Sequence, residues 1–305
     1  MKFILKLKNR KIILIIISLL TIILSLNSKI IYNSKDIKVC LCALGKEENK
    51  YIIEYIEYYL KLGVDKIFIY DNNDINGEKF DFILLNYIKK KYVEIINFRG
   101  KTAPQVKMLN DCYKNNYKIY DWFILYDLDE FLHLKDFNNI KLFLSQRIFN
   151  KCDYIYFNRV FQTDGDKIRY ENKSLSERFT TSVYTIYTYK PILKGNISNL
   201  EIYDVHVINS KLKSCNSFGN LKSKSPDFKY NFIKHYYFKS TEEFITKINR
   251  GDGVYNNTNK IKLDKIKFYF ESNNVTLEKI NYIENKTRIS LQFLKNQYLK
   301  KILIN

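Results

Sequence analysis

Four short apolar runs, at residues 37–44, 66–70, 93–98 and 122–126, alternate with three stretches of helical periodicity. That alternation leaves few folds open. Short apolar runs lacking polar alternation are strands covered on both faces, and helices between them impose parallel crossovers. The order β-α-β-α-β-α-β therefore predicts an α/β fold with a mostly parallel, doubly wound sheet. Residues 49–62 place Ile52, Ile53, Ile56, Tyr59 and Leu60 at helical spacing and stop at Gly63, a suitable C-cap. Residues 80–90 and 104–117 supply the other two helices, the second opened by Pro104. Later strands are expected at 152–160, 203–209 and 232–238. Helices are expected at the start of 174–183, at 241–250 before Gly251, and along the tail over the sheet.

The fourth run ends in Asp127 and Asp129, with Glu130 next. Residues i and i+2 of an extended segment point to one side, so the two carboxylates converge beyond the strand end. In open α/β sheets ligands bind there. Two hard oxygen ligands suit Mg²⁺ or Mn²⁺, which substrate phosphates often complete. The plain alternative is an acidic, solvated turn. Asp71 closes the second run and would flank the same crevice. It is placed to bind a nucleotide's base or ribose, or else to form a turn among asparagines.

Composition sets the limits. The chain is 46% hydrophobic with only 9 Gly and 3 Pro, enough apolar material for a packed core. Its charge of +19 comes from 51 basic and 32 acidic residues. The lysines are spread throughout, with no basic stripe, zinc-finger spacing or RNA-binding signature, which argues against nucleic acid. Five cysteines are scattered, and Cys40 and Cys42 share one face of the first strand. They read mostly as buried apolar residues, with room for one disulfide that cannot be assigned.

Lys2, Lys6, Lys8, Arg10 and Lys11 precede an apolar run at 12–26. As a helix that run spans about 22 Å, and extending it through Ile31 with Lys29 snorkelling reaches bilayer thickness. No small-residue cleavage site follows, so an uncleaved signal anchor is favoured over a cleaved signal peptide. The basic flank holds the N-terminus in the cytoplasm, giving a single-pass membrane protein. The setting would be Golgi-type in a eukaryote and the inner membrane in a bacterium. The organisation expected is a basic tail (1–11), a transmembrane anchor (12–31), a short stem (32–36), an α/β domain (37–252) and a helical extension (253–305).

Four elements resemble glycosyltransferase family 92 and related family-2-like glycosyltransferases. They are Cys40-Leu41-Cys42-Ala43-Leu44 with Lys46-Glu47-Glu48; residues 54–64 with Ile69-Tyr70-Asp71-Asn72-Asn73; Asp127-Leu128-Asp129-Glu130-Phe131-Leu132; and His235-Tyr236-Tyr237-Phe238-Lys239-Ser240. The resemblance covers roughly 37–252. It departs at Lys46-Glu47-Glu48, where those enzymes usually carry Asn before Glu, and it is loose across 160–200. It implies a GT-A fold and transfer of a sugar from a nucleotide-sugar, often UDP-linked, to a hydroxyl acceptor such as a glycan. Inversion and Mn²⁺ (or Mg²⁺) are usual.

On that resemblance Asp129 is a direct metal ligand, and Asp127 contacts the ribose or the metal through water. His206 is the first choice to complete the metal shell and His235 the alternative, while His133 is a local contact. Ala43 would line the nucleotide pocket through backbone groups, and Gln105 is a further nucleotide contact. Glu177 is the candidate general base, with Asp164 and Asp166 behind it, although a Glu-Arg pair is usually a solvated ion pair. Lys239 and Arg250 are candidates for the diphosphate. Two other functions compete: a sugar nucleotidyltransferase, which would want a glycine-rich loop near the first strand, and a non-catalytic, membrane-tethered binding protein.

Overall fold

The computed structural model describes residues 36–206, 208, 211–222, 226–251 and 258–304, together with Ser18. The expected basic tail, anchor and stem, apart from Ser18 and Asp36, lie outside the described residues. Among the described residues no helix is long and apolar enough to cross a membrane.

The first half of the domain follows its hydrophobic pattern. Strands β1 (Val39–Gly45), β2 (Lys66–Asp71), β3 (Val93–Asn97) and β4 (Trp122–Ile124) lie in the order β3-β2-β1-β4, all parallel. Helices α1 (Ile52–Lys61), α2 (Leu85–Lys89) and α3 (Gln105–Asn116) connect them. The helix expected at 80–90 is confined to α2, with turns before it.

β1 shows why its run is unbroken. Val39, Leu41 and Ala43 enter one apolar cluster with α1, while Cys40 and Cys42 enter a second with α3. Side chains alternate faces at period two, and a helix covers each face. α1 buries Ile52, Tyr55, Ile56 and Tyr59, the i, i+3, i+4, i+7 stripe of an amphipathic helix.

The second half mixes directions. β4 pairs antiparallel with β7 (Ser182–Lys194), β7 antiparallel with β6 (Tyr154–Gln162), and β6 parallel with β9 (Asn231–His235), which pairs antiparallel with β5 (Glu130–Leu134). β8 (Ser214–Asn216) lies off this path beside β6. The sheet is thus mostly parallel but mixed beyond β4. The strand expected at 203–209 is absent from the described residues there, which form bends. Asn110 on α3 bonds both backbone groups of Ile202 and ties that segment to the helix instead of to a strand neighbour.

Two short helices follow, α4 (Ile140–Leu144) and α5 (Leu175–Arg178), then α6 (Thr241–Arg250), which stops at Gly251. Helices α7 (Asn259–Ser272), α8 (Leu277–Thr287) and α9 (Gln292–Ile304) complete the chain. Their apolar faces share one cluster with Phe161 of β6, with Phe238 and with Phe244, Ile245 and Ile248 of α6.

The cysteines are not merely apolar filler. Cys42 is bridged to Cys112, stapling β1 to α3, and Cys152 is bridged to Cys215, stapling the entry of β6 to β8. Cys40 stays a buried thiol.

Candidate active site

β4 ends three residues before Asp127, and β5 begins at Glu130. The acidic segment is therefore a tight turn between two strands. Asp127 N–H donates to Glu130 Oε2 and Glu130 N–H to Asp127 O, each at 3.0 Å. Three phenols of α1 hold the flanking backbone: Tyr55 Oη donates to Tyr126 O (3.2 Å), Tyr58 Oη to Leu132 O (2.5 Å) and Tyr59 Oη to Glu130 O (2.7 Å). A helix stripe that is tyrosine rather than leucine thus gives each buried ring a polar end for the turn. Gly45, at the end of β1, makes the close approach possible. A Cβ there would lie 2.8 Å from both Leu128 and Phe80 side chains.

A cleft of about 390 Å³ opens over this turn at the carboxyl ends of β1 and β4. Asp127, Asp129, Gln105, His206 and His235 line it, as do Lys190, Lys247, Arg159 and Arg250. Register brings His235 in, because β9 pairs with β5 so that His235 lies opposite Glu130. His235 Nε2 stands 3.4 Å from Asp129 Oδ1, while Lys247 Nζ is 2.5 Å from Asp129 Oδ2. Lys247 and Arg250 project from the last turn of α6, whose N-terminus carries a Ser240/Glu243 capping box.

The electrostatics keep both aspartates ionised. Burial alone would raise the pKa of Asp129, but Lys247 and then His235 outweigh it and hold it well below the ordinary value. Burial likewise opposes ionisation of Asp127, and Lys190 outweighs it. His235 has its pKa lowered by burial, against the pull of Asp129. Burial thus favours the neutral imidazole, the form that ligates metals, while Asp129 favours the charged one.

The two aspartates differ in what their oxygens already do. Asp127 accepts from Gln105 Nε2 (2.6 Å) and from Lys190 Nζ (2.8 Å), one bond on each oxygen. Asp129 Oδ1 faces only His235, at a separation longer than an ordinary hydrogen bond. Two ligands at right angles on one small divalent ion stand about 3 Å apart. His235 Nδ1, the nitrogen turned toward Glu130 Oε1 (3.9 Å) and not toward Asp129, is buried without a hydrogen-bond partner. Asp129 and His235 thus fit a divalent ion, with Asp127 beside them. Among the described residues no three His, Cys, Asp or Glu side chains form a ready-made cage. An ion here would take its remaining ligands from water and substrate phosphate.

Several expected residues lie outside the cleft or line it with their polar groups already engaged. Glu177 caps its own short helix through Ser174 and is exposed outside the cleft. Asp164 is buried against Lys279 (2.7 Å) and Tyr269, joining β6 to the C-terminal helices. Asp166 pairs with the same lysine. None of the three lines the cleft. Asp71 has Oδ1 on Asn73 and Oδ2 on Arg99 (2.6 Å), so it shapes the loop after β2, and Asn72 lines the cleft in its place. Ala43 faces the core, and its neighbour Leu44 lines the cleft. His206 lines the cleft but turns Nδ1 to Tyr189 O (2.9 Å), and burial and then Arg159 and Lys190 lower its pKa. Lys239 and Arg250 both grip Glu48, at 2.8 and 2.5 Å. His133 makes a local, tilted contact with Phe232.

Lys190, Lys247, Arg159 and Glu48 were missed. Lys190 had a readable signal, since it is a lone lysine before the apolar Pro191-Ile192-Leu193 of a strand. Lys247 had another, three residues before Arg250 on one helix face.

A mixed α/β sheet with an acidic turn, a buried histidine and two α6 cations around one cleft is the architecture of an enzyme site. The sequence model of glycosyltransferase family 92 matches residues 35–273. The chain belongs to glycosyltransferase family 92. A family 92 protein of Ricinus communis is 27% identical over 104 residues, 33% of this chain and 18% of that protein. The chain therefore spans about a fifth of that relative's length. Two structures of S. aureus TarS also overlap it, each at a TM-score of 0.38 and across 77% of this chain. One is 12% identical and covered over 43% of its length; the other, residues 1–349 in complex with UDP, is 13% identical and covered over 71%.

Proposed function

We propose that the protein transfers a sugar from a nucleotide-sugar, here taken as UDP-linked, to a hydroxyl of a glycan or similar acceptor.

 The observation that carries this reading is the meeting of Asp129, His235 and Lys247 over the strand ends, two ligands and a cation around one point. Asp129 and His235 would hold Mn²⁺ or Mg²⁺, which when bound offsets the charge developing on a leaving diphosphate. Lys247 and Arg250 hold the diphosphate oxygens from α6, and Gln105 and Lys190 fix Asp127 beside them. The acceptor oxygen bonds to the anomeric carbon as the bond to the diphosphate breaks, with inversion. Its proton passes to a carboxylate of the cleft. The apolar run at 12–31 supports membrane anchoring with the N-terminus in the cytoplasm.

The test is nucleotide-sugar hydrolysis and transfer by the full chain with Mn²⁺, with Mg²⁺ and with EDTA. Metal-dependent release of the nucleoside diphosphate is expected. Absence of nucleotide-sugar binding under every metal condition would end the enzyme reading. Activity undiminished by EDTA would remove the ion while leaving the transfer intact.

A further inference from the structure

The end of the sheet opposite the cleft carries a second feature. Parallel strands put the starts of β1, β2, β3 and β4 at one pole, and the crossover helices α1, α2 and α3 end there. β6 begins at the same pole, since Tyr154 pairs with Leu193 and Trp122 with Lys194. Lysines gather on it. Lys61, Lys89, Lys90, Lys91, Lys114 and Lys151 are exposed and have no carboxylate partner among the described residues. Lysines at helix C-termini are favourable on dipole grounds alone, but Lys90, Lys91 and Lys151 lie outside the helices.

The pole's acidic groups are engaged within the fold. Asp65 accepts from Val39 N–H and pairs with Lys141, Asp121 accepts from Lys38 N–H, and Asp153 accepts from Lys213 N–H. Two large apolar side chains stand out among the lysines, Tyr92 (46% exposed) and Ile119 (53% exposed). Basic groups interleaved with exposed apolar ones suit a lipid headgroup layer, where lysine stems lie along the interface.

The chain's own connectivity names the occupant. Only residues 32–38 separate the apolar run from β1, a reach of at most about 25 Å. The pole at which β1 starts is the part of the domain held nearest that run. We propose that this lysine-rich pole docks on an anionic phospholipid surface and turns the cleft away from the bilayer. The inference rests on the anchoring reading above. β1 has seven residues, so the acidic turn stands about 20 Å beyond the pole. A glycan extending from the surface would reach it more readily than a headgroup in the same leaflet.

The protein contains one tryptophan, Trp122, and it lies at this pole. Energy transfer from Trp122 to a dansyl-labelled lipid therefore reads the distance from the pole to the bilayer. The full chain is reconstituted into phosphatidylcholine vesicles with and without phosphatidylglycerol. Transfer should rise about twofold with the anionic lipid and return to the neutral-lipid level at high salt. Charge reversal at Lys89, Lys90, Lys91 and Lys114 should abolish the rise, Lys→Gln at the same positions should halve it, and Lys79→Glu in the loop after β2 should leave it unchanged. Equal transfer in both vesicles, or a rise that survives both sets of substitutions, overturns docking. Tighter retention on duplex RNA than on anionic vesicles overturns it too. Failure of anchoring reads differently, because the chain then does not float with neutral vesicles. Docking is still scored in that case by flotation that requires the anionic lipid and those lysines.

Discussion

Asp129 and Asp127 sit two residues apart and carry different burdens. Asp129→Asn keeps the shape and removes the charge that faces His235 and Lys247. Turnover should fall about a hundredfold or more while thermal unfolding stays cooperative; unchanged turnover would refute the ligand assignment. Lys190 is 2% exposed and pairs with Asp127, itself 31% exposed. Lys190→Met should destabilise by about 2–3 kcal/mol, the lower part of the range for a broken buried pair because Asp127 keeps some solvent. Denaturant unfolding measures it. His206 has its pKa lowered by burial, so the unfolded chain takes up its proton first on acidification. Its contribution to stability is full above the unfolded value near 6.5 and is lost as pH falls below it. The fall in melting temperature from neutral to mildly acidic pH should be shallower in His206→Gln. At this scale the position of the acidic pair was legible, because a motif and its strand position are local, whereas His235 stood only as the alternative to His206. The candidate bases do not line the cleft, because Glu177 and Asp164 are drawn to Ser174 and Lys279 by contacts that spacing does not encode.

Elements were legible where one period dominates. β1 to β4 and α1 to α3 were readable because helices cover both faces of a parallel sheet and leave unbroken apolar runs. The segment at 203–206 imitates a strand, with Val205 alternating among polar residues, but Asn110 secures its neighbour Ile202 to α3. Disulfide pairing was not readable, since it depends on which helix crosses which strand. Each bridge closes a long loop, with separations of 70 and 63 residues, worth about 4 kcal/mol in the chain-entropy account. Reduction should therefore lower the melting temperature markedly. One thiol, that of Cys40, should react with a thiol reagent only after denaturation, because burial pushes its pKa up and shields it. More than one thiol in the denatured, unreduced chain would contradict the pairing. Ser240→Ala should cost α6 about 1 kcal/mol through its capping box. It should also weaken nucleotide binding, because Lys247 and Arg250 ride on that helix.

Across the whole molecule the parallel half and the mixed half divide the work. β1 and β4 present the acidic turn, and β9, β7 and α6 bring His235, Lys190 and Lys247 to it from outside. The sequence revealed the first half almost entirely and the second in fragments, since its partners meet only through long-range register. Gly45 lies where the halves touch. An alanine there would strike Leu128, the residue between the two aspartates, and Phe80. Overpacking of this kind costs about 1–3 kcal/mol and alters no ionisable group. Gly45→Ala would thus give a comparator with its charge inventory intact and its geometry displaced. Ligand attraction and ligand alignment, which every charge substitution changes together, could then be weighed separately.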